Sequence, residues 1–266
     1  MERLSDQTGN ELVSHRLDMQ PLSDHTGRDI EVWDQLLAER PITRLVSPAM
    51  EGALAFLAPT RGGDLLDLGC DGGTKSDAFR RLGWRSVGVD INADVVADAA
   101  ARHPECRFQF GHLESLPFPD ASFDATFECS VLQYVNVRNA LAEVRRVLRP
   151  GGRAAFIVNL RHHPLMKVLR VMRKVIRHRY PPFMTPSHHP DPRELLSLLS
   201  PSNGWEGATL RPFALLAPLS LYGLPLAPLH RLDDWSFARS ATLRQLGWLG
   251  LLTASRAPAR TGPAGI

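Results

Sequence analysis

The chain has 266 residues, enough to bury a full core, and suits one α/β domain with added elements better than two equal halves. Its 44% hydrophobic and 22% charged content excludes disordered and collagen-like classes, and no repeat period runs through it. The formal charge of +3 is local: residues 161 to 180 hold seven Lys or Arg and no acid, and without those seven, 24 of the 31 basic residues face 28 acidic ones, so a generally basic nucleic-acid surface is not expected.

Residues 1 to about 30 are polar and rich in turn formers and read as a loose arm. The opening MERLSDQTGNELVSH has no apolar run behind a basic end, so it does not read as a signal peptide. From Ile30 to Leu57 apolar residues recur at helical spacing, and Pro41 and Pro48 divide them into two or three short helices. A strand–helix rhythm follows. Strands are expected over 64–68, 86–90, 107–111, 123–129 and 153–159, with helices over 75–82, 93–102 and 138–148. That alternation predicts parallel βαβ units with helices on both sheet faces. Near-continuous apolar strands such as DLLDL and AAFIV fit a sheet buried on both sides.

Beyond residue 160 the pattern loosens. Leu165, Val168, Leu169, Met172, Val175 and Ile176 make an apolar stripe opposite Lys167, Arg170, Lys174 and Arg177, which predicts an amphipathic helix. Asp191-Pro192-Arg193-Glu194 is a capping box that opens a helix through Leu199. Strands over 205–211 and 247–255 close the pattern. Between them, residues 212 to 230 carry no charged side chain, but Pro212, Pro218, Pro225, Pro228 and Gly223 break any membrane-spanning helix, so the segment reads as an apolar cap. The organisation is therefore an arm and helices over 1–59, a core over 60–160, and a substrate cap with the last strands over 161–266.

Three well-separated cysteines, Cys70, Cys106 and Cys129, form no Cys-x-x-Cys pair. They point to a reducing, cytoplasmic setting, with neither a disulfide framework nor a metal site.

The chemistry is concentrated in LLDLGCDGG, residues 65 to 73. There an apolar strand ends in a carboxylate and a glycine-rich turn that lets backbone approach a ligand. VGVDIN then puts Asp90 at the end of the next strand. A carboxylate there accepts hydrogen bonds from the vicinal hydroxyls of a ribose; it also suits a helix N-cap, and the two roles are compatible. The turn lacks Gly-x-Gly-x-x-Gly, which argues against a nicotinamide dehydrogenase.

LLDLGCDGG, VGVDIN, GHLESLPFPDASFDATF and LRPGGRAAFI resemble, in order and spacing, the four blocks of class I S-adenosylmethionine-dependent methyltransferases, especially the group of the quinone-biosynthesis enzymes. The resemblance covers residues 60 to 160. It implies a doubly wound, Rossmann-like, mostly parallel seven-stranded sheet with N-terminal helices and a C-terminal cap insertion. It implies further that Asp67, Gly69, Cys70, Asp71 and Gly73 hold the methionine end and ribose of S-adenosylmethionine. Asp90 would take the ribose, Ile91 the adenine face, and His112, Leu113 and Glu114 the surroundings of the adenine amine; Cys129 would stand where the methionine end meets the acceptor. Two departures stand out. Asp71 replaces a glycine, which aspartate's tolerance of left-handed backbone accommodates. His112 replaces an aspartate, leaving an imidazole nitrogen or the main chain to accept the adenine amine.

Tyr134 follows the strand over 123–129, where relatives often carry histidine, and His188 and His189 precede the capped helix; these are the catalytic candidates. A phenol is better suited to hydrogen bonding than to proton abstraction. Tyr180-Pro181-Pro182-Phe183 resembles the signature of amino-group methylases but lies after the wrong strand and lacks its asparagine. The basic stripe over 165–177 has three readings: a cap helix with solvated charges, transient contact with a membrane surface, or nucleic-acid binding, the last opposed by the lack of interleaved aromatics. The expected function is methyl transfer to oxygen or carbon of a small apolar acceptor such as a lipid, quinone or secondary metabolite. The competing readings are structural use of the cofactor, as in a cyclase, and nucleic-acid methylation.

Overall fold

A computed structural model of the chain describes residues 12–13, 41–58, 62–164, 189–217, 219, 226–244 and 246–258. Its strands are β1 (Leu12–Val13), β2 (Asp64–Leu68), β3 (Arg85–Asp90), β4 (Arg107–Phe110), β5 (Phe123–Cys129), β6 (Leu148–Asn159), β7 (Trp205–Phe213) and β8 (Leu249–Arg256). The helices are α1 (Pro41–Leu57), α2 (Thr74–Arg81), α3 (Ala93–Arg102), α4 (Val137–Val147), α5 (Pro192–Leu198), α6 (Leu226–Arg239) and α7 (Ala241–Arg244).

The strands form one sheet in the order β1-β4-β3-β2-β5-β6-β8-β7. From β4 to β6 every pairing is parallel, and β8 runs antiparallel to both β6 and β7. The expected seven-stranded, mostly parallel sheet is present. Its two faces are buried by alternate residues. Leu65, Ala125, Phe127, Ala155 and Ile157 pack with α1 and α2 on one side. Leu66, Leu68, Val89, Phe156 and Val158 pack with α4 and α5 on the other. Helices on both faces explain why these strands lack polar alternation.

Several boundaries differ from the sequence reading. Pro48 lies inside α1 rather than ending a helix. Proline removes one bond of the helical ladder, but Ala49, Met50, Ala53 and Leu57 are buried against the sheet, and that packing carries the helix through. Within the expected loose arm, Leu12–Val13 pairs antiparallel with Gln109 and Phe108 and extends the sheet by an edge strand. LRPGG reads locally as a turn, yet β6 begins at Leu148, which pairs with Phe123 across an irregularity in register. Helix α6 lies between the last two strands. It is anchored by buried Asp233, which accepts the amides of Leu216 at 2.6 Å and Ala217 at 3.2 Å. The amphipathic stretch 165–177 lies outside the described residues. Among the described ones, no helix is long and apolar enough to cross a membrane.

The block LPFPDASFD is held in place by α4. Arg146 donates to the carbonyls of Phe118 at 2.8 Å and Leu116 at 2.9 Å, and to the carboxylates of Asp120 and Glu143 at 2.8 Å each. Glu143 in turn accepts the amide of Leu116. Arg146→Ala leaves two carbonyls and a half-buried carboxylate without their shared donor. We expect it to lower unfolding free energy by about 2 kcal/mol in urea titrations, whereas a solvated surface arginine would change it by less than about 0.5 kcal/mol.

Candidate active site

The order of strands reverses between β2 and β5, so their carboxyl ends diverge into the crevice where open α/β sheets bind ligands. The register sets Asp67 beside Gly88 and Leu68 beside Glu128. The ends of β2, β3 and β5 therefore share one rim.

After β2 the chain makes its glycine turn. Gly69 has φ 68° and Gly73 φ 81°, left-handed values that favour glycine. A side chain at Gly69 would also strike Val131, and one at Gly73 would strike the Phe108 ring. Asp71 adopts φ 50°, as its residue type permits. The amides of Gly69 and Cys70 both donate to the carbonyl of Val89, which fastens the turn to β3.

Asp90 makes the second link between these turns. Its carboxylate accepts the amide of Asp71 at 3.3 Å through Oδ2 and that of Asn92 at 3.0 Å through Oδ1. The N-cap of α3 is Asn92, whose side chain accepts from Asp94, so Asp90 is released from that role. A carboxylate has about four acceptor positions, and two remain for a pair of ligand hydroxyls. Next to it Ile91 is 56% exposed, a large apolar side chain displayed beside a polar grip.

Of the block after β4, Leu113 is buried while His112 is exposed. His112 Nδ1 accepts the amide of Glu114 at 3.2 Å. A neutral ring then carries its proton on Nε2, which leaves no ring lone pair to accept from a ligand. Glu114 accepts from the Asn136 amide at 2.9 Å and the Asn139 side chain at 3.3 Å, which secures the start of α4.

One residue unremarked in the sequence, Glu128, lies under the turn beside Asp67. Glu128, the penultimate residue of β5, is fully buried, and its Oε1 accepts the amides of Val131 and Leu132. Its Oε2 is buried without a partner, as is Oδ1 of Asp67, whose Oδ2 accepts from Ser76 at 2.7 Å. Burial pushes the Glu128 carboxyl up to about 8, against the lowering pull of those two amides and of Lys75. Burial likewise pushes the Asp67 carboxyl up, opposed chiefly by Lys75. It raises Cys129 to about 11 and Cys70 further, so neither is a thiolate at neutral pH. The clue in the sequence was a lone acid in the otherwise apolar end of a strand, FEC.

Tyr134 lies in a 3-10 turn after β5 and is 40% exposed at the same rim. His189 sits beside Pro190, whose carbonyl accepts the amide of Arg161 just beyond β6. Nearby His162 pairs with Asp191 at 2.8 Å, and buried His163 meets the carbonyl of Leu215 at 2.8 Å. His188 falls outside the described residues. Among those described, no three His, Cys, Asp or Glu are grouped to hold a metal.

Residues 66–156 match the family described as a methyltransferase domain. The likeness extends to particular proteins. The chain is 34% identical over 107 residues to a malonyl-[acyl-carrier protein] O-methyltransferase of Erwinia billingiae, covering 40% of this chain and 43% of that protein. It is 34% identical over 110 residues to a demethylmenaquinone methyltransferase of Paenarthrobacter aurescens, covering 41% and 43%. The chain thus spans less than half the length of these relatives. A solved S-adenosylmethionine-dependent methyltransferase from Thermotoga maritima shares the fold, with a TM-score of 0.58 at 17% identity over 86% of this chain and 96% of that one.

The buried carboxyl of Glu128 makes a pH prediction. Its folded pKa stands above the unfolded one, so its contribution to stability is complete below about pH 4.5 and is lost as pH rises through about 8. Glu128→Gln keeps an oxygen for both amides. The melting temperature of the unliganded wild type should fall between pH 5 and 8.5, and the variant should flatten that fall; equal slopes would show that Glu128 is already ionised.

Proposed function

We propose that this chain is an S-adenosylmethionine-dependent methyltransferase acting on oxygen or carbon of a small apolar acceptor. The observation that carries the reading is the pair Asp90–Ile91 on the rim opposite the glycine turn: a carboxylate with acceptor positions to spare beside an uncovered apolar side chain. A nucleoside matches both, with its sugar hydroxyls on the acid and its base over the isoleucine. The unpartnered Oδ1 of Asp67 fits the ammonium of the amino-acid end. The names of the relatives, which include a demethylmenaquinone methyltransferase, support an apolar acceptor, as does the apolar run after β7.

S-adenosylmethionine, when bound, supplies a methyl group already activated by its sulfonium. The chain's own task is alignment. Asp90 and the turn through Gly73 fix the nucleoside, Asp67 the amino-acid end, and the rim beyond Cys129 and Tyr134 receives the acceptor. Holding two reactants in line is worth on the order of 7–11 kcal/mol. An acceptor that must shed a proton, a phenol or an enol carbon, would need a base among the groups at this rim, with Tyr134 and His189 the candidates on the exposed side and Glu128 on the buried one.

The test is transfer of labelled methyl from S-adenosylmethionine to a panel of phenolic and prenylated acceptors. Wild type should label at least one acceptor, and Asp90→Ala should weaken cofactor binding roughly 10- to 100-fold, as loss of hydrogen bonds to a charged group does. Tight cofactor binding with no transfer to any acceptor would favour structural use of the cofactor instead. Unchanged binding by Asp90→Ala would remove the central support.

A further inference from the structure

Lys75 is the second residue of α2 and follows the glycine turn directly. It is half-buried, and its ammonium stands in the field of Asp67, Asp71 and Glu128. Burial works against its charge, but that acidic field outweighs the cost and holds its pKa above the ordinary lysine value. Yet among the described residues Lys75 has no hydrogen-bond or ion-pair partner. Two fully buried acids beside it each keep one oxygen without a partner, Asp67 Oδ1 and Glu128 Oε2.

An unpaired cation and unpartnered acid oxygens under one turn are a costly arrangement. Charges out of water normally close on each other, and leaving them apart forfeits the attraction that offsets desolvation. The separation becomes favourable when a third body fits between them. A carboxylate oxygen calls for a donor and Lys75 calls for an anion, so the body that fits carries both charges. An amino-acid zwitterion does, and the rim already described presents the nucleoside grip at its other end.

We propose that Lys75 binds the α-carboxylate of the amino-acid end of S-adenosylmethionine, so that the pocket discriminates for ligands that carry this group. The assignment rests on the methyltransferase reading above and adds a positioning residue to it. The alternative role for Lys75 is a counter-ion that merely steadies Asp67 and Glu128. That role would affect every ligand of the pocket alike.

Two probes separate the roles: S-adenosylhomocysteine, which has the zwitterion, and 5′-methylthioadenosine, which keeps the nucleoside and sulfur but lacks the amino-acid end. Binding is measured calorimetrically with wild type, Lys75→Met and Lys75→Arg. We expect Lys75→Met to lose roughly 10- to 100-fold in affinity for S-adenosylhomocysteine. It should hold 5′-methylthioadenosine within about twofold, which also reports that its pocket is folded, and Lys75→Arg should recover most of the loss. An equal loss for both probes, or no loss for either, overturns the assignment while leaving the methyltransferase reading intact. A wild type that binds neither probe overturns both.

Discussion

One carboxylate does two jobs at the centre of this structure. Asp90 accepts the amide of Asp71 from the neighbouring turn and that of Asn92 from its own, so the ends of β2 and β3 are tied across the rim. The tie depends on close approach of the strands. Gly88, paired with Asp67, has no room for a side chain, because one would meet both Phe108 and Cys70. Phe108 also fills the space against Gly73. The turn is thus held by packing beneath and by hydrogen bonds above, and a ligand there meets backbone already in place.

Beneath the turn the chemistry changes character. Asp67, Glu128 and Lys75 bring ionisable groups into a region where Cys70, Phe127 and Leu68 are fully buried. Such groups are expensive to bury and shift their protonation accordingly, upward for both carboxyls. They sit on the ends of β2 and β5 and on the first turn of α2, the three elements that border the crevice. Perturbed groups gather where ligands bind, and here they coincide with the place where strand order reverses.

Much of the fold was legible because its signals are local. A leucine-rich strand, Asp64–Leu68, followed by Gly69-Cys70-Asp71-Gly72-Gly73 states strand, turn and helix within a dozen residues, and α3 appears over 93–102 as its pattern predicts. Asp90 and Ile91 were legible for the same reason. What was hidden depends on distant contacts. Nothing near Leu12–Val13 announces an edge strand, because its partners lie at Phe108 and Gln109. Pro48 reads as a break until the sheet against its helix is seen. Lys75 looks like an ordinary surface charge in the sequence, and Glu128 is marked there only by its place in the apolar end of a strand; tertiary burial sets it apart. Glu114 was legible as part of a block, but its bonds to Asn136 and Asn139 arise from the meeting of two loops.

A nucleoside sugar lying against Asp90 is what every role at this rim requires, and the most direct measurement is a crystal structure of the protein grown with S-adenosylhomocysteine. Both ribose hydroxyls should lie within hydrogen-bond distance of the Asp90 carboxylate, with the adenine over Ile91. A ligand seated elsewhere, or a sugar turned away from Asp90, would contradict it.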